Sequence, residues 1–237
     1  MRRTITAVLV TLALAISITT LSTAYADPVP DAAVKAAYLK GDYKEAARLA
    51  SLAATRGDAE AQLILGLMYT SGTGVAQDYE EAVRLYSLAA AQGIAMAQNN
   101  LGAMYANGTG VTQDLKEAVR LYSLAAAQGL ALGQSNLGFM YAEVTGVAQD
   151  YEEAVRLYSL AAAQGLAQGQ INLGVMYANG KGVPENRVQA YKWFNIAATQ
   201  GDELAKKNKA IIEKEMTREQ IAEAQKLSAE WKPVVPR

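Results

Sequence analysis

The sequence predicts an all-α solenoid of six stacked helix pairs, and three observations carry that prediction. The motif Leu-Gly-x-Met-Tyr begins at Leu65, Leu101, Leu137 and Leu173, a step of 36 residues each time. An Ala-Ala-x-x-Gly run ends at Gly57, Gly93, Gly129, Gly165 and Gly201, again 36 apart. Between these markers apolar residues recur three and four positions apart, the spacing of one helix face. Ala97, Leu101, Met104 and Tyr105 do so in a first helix, and Tyr79, Ala82, Val83, Tyr86, Ala89 and Ala90 in a second. A fixed period of this size marks an array whose units bury their apolar stripes only against their neighbours.

Taken in order, residues 1–26 have the three parts of an export signal. Arg2 and Arg3 give a charged start, Ala7 to Ile18 an apolar stretch, and Ala24-Tyr25-Ala26 a small-x-small cleavage site. The alternative is an uncleaved membrane anchor, but Thr11, Ser17, Thr19 and Thr20 make the apolar run thin for a span. Cleavage after Ala26 leaves no stable membrane span and an extended Asp27-Pro28-Val29-Pro30 leader. With no cysteine, neither a disulfide nor a lipid attachment is available.

Residues 27–57 hold this leader and a shortened first pair, Asp31 to Leu39 and Asp42 to Ala54. Four full repeats occupy residues 58–201. Each second helix opens on a predicted capping box, Asp42 with Glu45, Asp78 with Glu81, Asp114 with Glu117 and Asp150 with Glu153, and the last keeps the chemistry as Asn186 with Gln189. Such a cap is worth ~1 kcal/mol. The closing glycines suit the left-handed residue that follows a helix. Residues 202–237 read as a capping pair and tail, Asp202 to Glu215 and Thr217 to Trp231, with Ile211, Ile212, Ile221, Leu227 and Trp231 placed to cover the last repeat.

Leu-Gly-x-Met-Tyr, the Gly-x-Gly-Val turn, the acidic helix start and the Ala-Ala-x-x-Gly finish together resemble the Sel1-like repeat family, a relative of the tetratricopeptide repeat. The resemblance covers residues 58–201 at full strength, with divergent copies on both sides. It implies a right-handed α-solenoid whose first helices line a concave groove.

Composition narrows the function. The chain has 22 basic and 23 acidic residues with no basic block, which argues against a nucleic-acid surface. There is no histidine and no cysteine, so the commonest general base, the thiol nucleophile and most zinc sites are missing. Some cysteine-rich Sel1-like proteins are linked to β-lactam binding or hydrolysis, chemistry that wants Ser-x-x-Lys. Ser51, Ser87, Ser123 and Ser159 are each followed by Leu-Ala-Ala, and Ser228 by Ala-Glu-Trp. The Gly-x-Gly pairs at Gly72, Gly108 and Gly180 lack the strand and lysine of a phosphate loop and read as turns. No enzyme activity, cofactor or metal is expected.

A binding surface is expected where the repeats differ. Val75 to Gly93 is identical over 19 residues to Val147 to Gly165, so second helices cannot distinguish one point of the array from another. The first helices vary. The candidate protein-binding residues are Leu63, Leu67, Asn99, Asn100, Asn136, Phe139 and Asn172. Each asparagine amide offers a donor and an acceptor to the backbone of an extended peptide, as in tetratricopeptide grooves. The same amides would equally serve to hold the stack. Phe139 stands as an aromatic anchor, or as filler where Gly133 replaces Ala97. Glu143-Val144 replaces the Ser71-Gly72, Asn107-Gly108 and Asn179-Gly180 of the other repeats, so that turn should be built differently. The leading expectation is a periplasmic or secreted scaffold, monomeric, that binds another protein or peptide. Its envelope pathway is left open. A cell-wall or β-lactam-acting enzyme and a self-associating array are the alternatives.

Overall fold

A computed structural model describes residues 32–143 and 146–234. The predicted export signal, the leader, Asp31 and Val144 lie outside the described residues. Those residues form twelve helices and no strand, the expected all-α fold. They are α1 Ala32–Leu39, α2 Tyr43–Thr55, α3 Ala59–Ser71, α4 Tyr79–Ala91, α5 Ala95–Asn107 and α6 Leu115–Ala127. Then come α7 Ala131–Ala142, α8 Tyr151–Ala163, α9 Ala167–Asn179, α10 Arg187–Thr199, α11 Glu203–Glu213 and α12 Arg218–Glu230. They divide into two compact units, residues 32–128 and 129–234. Within each, a first helix packs on its own second helix and on the second helix before it. In the latter unit α10 also carries both α11 and α12.

The recurring glycine of Leu-Gly-x-Met-Tyr is where two helices touch. A Cβ at Gly102 would fall 2.9 Å from the Tyr122 ring, and Gly66, Gly138 and Gly174 meet Tyr86, Tyr158 and Phe194 in the same way. The aromatic ring of each second helix thus lies flat against the backbone of the first, a contact that any side chain would push apart. These rings are buried, together with the methionines Met68, Met104, Met140 and Met176.

The helix starts are capped as expected in one half and differently in the other. Asp42, Asp78, Asp114, Asp150 and Asn186 each accept a backbone N–H three residues on. The acidic partners do not reach back. Glu45, Glu81, Glu117 and Glu153 instead form two-pronged pairs with Arg48, Arg84, Arg120 and Arg156 at 2.6–2.8 Å. The reason is that the capping N–H is already taken. Asp78, Asp114, Asp150 and Asn186 donate theirs to the carbonyls of Tyr69, Tyr105, Tyr141 and Tyr177 in the preceding helix. Among the described helices the reciprocal box forms at Thr217 and Gln220.

A second polar device is glutamine on glutamine. Gln92 Nε2 donates to Gln62 Oε1 at 2.9 Å and to the Gly57 carbonyl at 3.1 Å, while Gln62 Nε2 reaches the Ala54 carbonyl. Gln128 with Gln98, Gln164 with Gln134, and Gln200 with Gln170 repeat the pair at 2.8–2.9 Å. Each pair ties the end of a second helix to its own first helix. The first-helix glutamines are buried and the bonds satisfy them.

The helix-closing turn also differs in one repeat. Gly72, Gly108 and Gly180 cap their helices with φ of +62° to +69°. Helix α7 ends a residue sooner, with Glu143 as its cap at φ −108°. A side chain there avoids the left-handed region that glycine tolerates.

Candidate functional site

The seven predicted binding residues fall in both units. Leu63 and Leu67 on α3, and Asn99 and Asn100 on α5, belong to residues 32–128, and all four are buried. Asn99 Nδ2 donates to Asn100 Oδ1 at 3.3 Å, and the buried Asn100 amide lies beside the Tyr86 hydroxyl. Asn136 and Phe139 on α7 are half-buried. Asn172 on α9 is buried and accepts a bond from Gln168 Nε2 at 2.9 Å.

Two of the seven meet. Phe139 and Asn172 line one cleft between α7, α8 and α9, with Tyr151 and Tyr158 from α8 and Val175 and Met176 from α9. The cleft encloses about 370 Å³, part of it open solvent. Its floor is apolar and aromatic, and Asn172 brings an amide to it. Glu143 and Lys181, one of each charge, complete the lining. The Lys181 ammonium sits 5.0 Å from the centre of the Tyr151 ring, a cation–π contact worth ~0.5–1 kcal/mol at an exposed position. Burial, aided by the Glu143 charge, pushes the Tyr158 hydroxyl well above the ordinary phenol range. It therefore stays protonated, as a neutral donor.

Three residues of the cleft differ from their counterparts in the other repeats. Glu143 stands where Ser71, Asn107 and Asn179 stand, Lys181 where Thr73 and Thr109 stand, and Phe139 where Leu67, Ala103 and Val175 stand. Sequence reading picked out Phe139, Asn172 and the odd turn at Glu143. It missed Tyr151 and Lys181, although a lysine in place of threonine was a visible signal. Among the described residues no group of three or more His, Cys, Asp or Glu side chains could hold a metal. No described helix is long and apolar enough to cross a membrane.

Comparison with known proteins supplies the family. The Sel1 repeat model matches residues 30–58, 59–94, 95–130, 131–166 and 167–202. A protective antigen present in uropathogenic Escherichia coli strains, displaying an SLR fold, is 36% identical with a TM-score of 0.73. The match covers 90% of this chain and 47% of that one, so the chain spans about half the length of that protein. A Sel1 repeat protein from Oxalobacter formigenes is 29% identical with a TM-score of 0.69, covering 85% of both chains. An immunity protein from Pseudomonas aeruginosa shares the fold at 20% identity and a TM-score of 0.54, covering 86% of this chain and 85% of that one. No curated protein matched.

Proposed function

Since the chain belongs to the Sel1 repeat family, whose repeats usually mediate protein–protein interaction and are generally not enzymes, we propose that it is an exported scaffold binding a partner protein or peptide at the Phe139 cleft. The observation that carries this reading is the meeting of Phe139, Asn172, Glu143 and Lys181 in one concavity. Three of these, Phe139, Glu143 and Lys181, break the repeat. A scaffold of near-identical units can be specific only where its units differ. An aromatic floor takes an apolar anchor of the partner. The Asn172 amide pairs with a peptide group, and the rim charges orient what enters.

Export is part of this reading. It rests on the three-part segment at residues 1–26, and a protective antigen among the solved relatives fits a role outside the cytoplasm. Mass spectrometry of the protein from its native host should find a mature chain starting at Asp27. An intact residue 1–26 segment in the membrane fraction would replace export with anchorage.

The binding reading is tested with envelope extract and a captured, stoichiometric partner. Phe139→Ala removes a half-exposed ring, so folding should change little. The partner's affinity should drop by ~2 kcal/mol, about thirtyfold, if Phe139 is the central anchor. Undiminished affinity in Phe139→Ala and Lys181→Ala alike would reject this cleft.

A further inference from the structure

The Phe139 cleft opens beside two polar groups that meet each other elsewhere in the array. In an earlier repeat the Tyr86 hydroxyl has two neighbours, Thr70 Oγ1 at 3.1 Å and the amide of Asn100. Tyr158 and Asn172 hold the same two positions two repeats on. They are 3% and 8% exposed, and both line the cleft. Among the described residues the Tyr158 hydroxyl has no hydrogen-bond partner, and Asn172 has one, Gln168. Ala142 stands where Thr70 stands, so the hydroxyl lacks its second neighbour as well. Buried polar groups are as a rule paired, and these two are left to the cleft.

The sequence accounts for which way the asparagine faces. Asn100 Oδ1 accepts from Asn99 Nδ2 at 3.3 Å. At the cleft Ile171 stands in place of Asn99 and has no side-chain amide to give. Gln168 takes over from one helical turn earlier, its Nε2 donating to Asn172 Oδ1 at 2.9 Å. Glu60, Met96 and Leu132 occupy that position in the other repeats, so the glutamine is peculiar to this one. With its oxygen engaged, Asn172 has only its Nδ2 donor left for a ligand. The Tyr158 hydroxyl, kept neutral by burial, can donate too. A carbonyl oxygen has two lone pairs and accepts from both, whereas a main-chain N–H finds no acceptor at Asn172. The Glu143 charge acts on the same hydroxyl and repels a carboxylate, so the acceptor that fits is a neutral one.

We propose that Asn172 and Tyr158 together hold one main-chain carbonyl oxygen of the partner's peptide, beside the apolar residue seated on Phe139, and that Gln168 is the positioning residue that turns the Asn172 donor to the cleft. This rests on the Phe139 cleft being the partner's site, and it names which half of the peptide group is read there.

The test uses the full chain, isotope-labelled, and N-acetyl-L-leucine N-methylamide as the probe, one apolar side chain between two peptide groups. Titration should shift the Asn172 side-chain amide signals. Asn172→Ala and Tyr158→Phe, the latter matching the residue the array carries at Phe194, should each weaken the probe roughly three- to tenfold. Gln168→Glu keeps the shape and reverses the bond. A carboxylate only accepts, so Asn172 turns its Nδ2 toward it and presents Oδ1 to the cleft. The probe should weaken as much as in Asn172→Ala, and adding Gln168→Glu to Asn172→Ala should cost nothing further. A residue that merely supported the fold would lower the melting temperature and act alike in both backgrounds. Phe139→Ala separates this proposal from the reading beneath it. A probe weakened by Phe139→Ala but not by Tyr158→Phe or Gln168→Glu leaves the cleft standing and overturns the carbonyl site. A probe that Phe139→Ala does not weaken takes the cleft reading down with it. No shift at the solubility limit of the probe overturns the carbonyl site and leaves the cleft to the partner measurement.

Discussion

Tyr86, Tyr122 and Tyr158 press the same ring against the same glycine, yet their hydroxyls meet different surroundings. The Tyr86 hydroxyl lies 3.1 Å from Thr70 Oγ1. The Tyr122 hydroxyl is buried with no partner. In the next position but one along the array the chain dispenses with the group, as Phe194. Burial pushes all three phenols above their ordinary value near 10. Here the acid is more easily ionised unfolded than folded. The stability tied to the neutral phenols is thus fully present below pH ~10 and is lost as pH rises toward the folded values. Tyr122→Phe removes a buried, unpaired hydroxyl and keeps the ring. It should stabilise the protein by ~1 kcal/mol at neutral pH, and by more above pH ~10. Thermal melts at pH 7 and at pH 10.5 check both parts. A lower melting temperature at pH 7 would show that the hydroxyl has a partner worth keeping.

At the scale of the helix, what the sequence made legible was whatever is settled within one helix or one turn. The apolar periodicity located the helices, and the asparagine, aspartate and threonine caps located their starts. Interactions settled between helices were not legible. Glu81 reads as half of a capping box, but the N–H it would serve donates to Tyr69, a residue of the previous helix. Gln62 and Gln92 stand 30 apart in the chain with nothing local to mark them, and they join only once two helices lie side by side. The candidate site divides the same way. Phe139 stood out because it differs from its counterparts in the array, and Asn172 because its amide recurs with Asn100 and Asn136. Tyr151 belongs to a stretch repeated identically, so nothing local marks it. It gains its role from Lys181, 30 residues on, lying over its ring. Trp231 was expected to cover the last repeat, and it does meet Trp193 of α10, but the cluster it joins also contains Tyr158 of α8, a repeat further back.

For the molecule as a whole, stability is a chain of neighbour contacts, so an end cap matters more than its own small core suggests. In the unit of residues 129–234, α10 is held by α9 on one side and by α11 and α12 on the other. Ile212 and Ala224 are buried with Tyr191 and Phe194, and Ile221 and Met216 pack against the same cluster. Polar bonds add to this, since Gln225 Nε2 donates to the Tyr191 hydroxyl at 3.3 Å and Ser228 Oγ to the Lys192 carbonyl at 3.3 Å. Ending the chain after Met216 removes α12 and Trp231 together and uncovers one side of α10. Ile221, Leu227 and Trp231 are each partly buried, and full burial of such side chains is worth roughly 1.5–3 kcal/mol apiece. The shortened protein should therefore lose several kcal/mol, with a lower melting temperature and a tendency to aggregate. Because damage in an array enters through the neighbour, amide exchange should speed up first in α10. Hydrogen-exchange mass spectrometry locates that loss. A shortened chain that melts like the full one, with α10 still protected, would show that α12 is an appendage and that α10 is held by α9 and α11 alone.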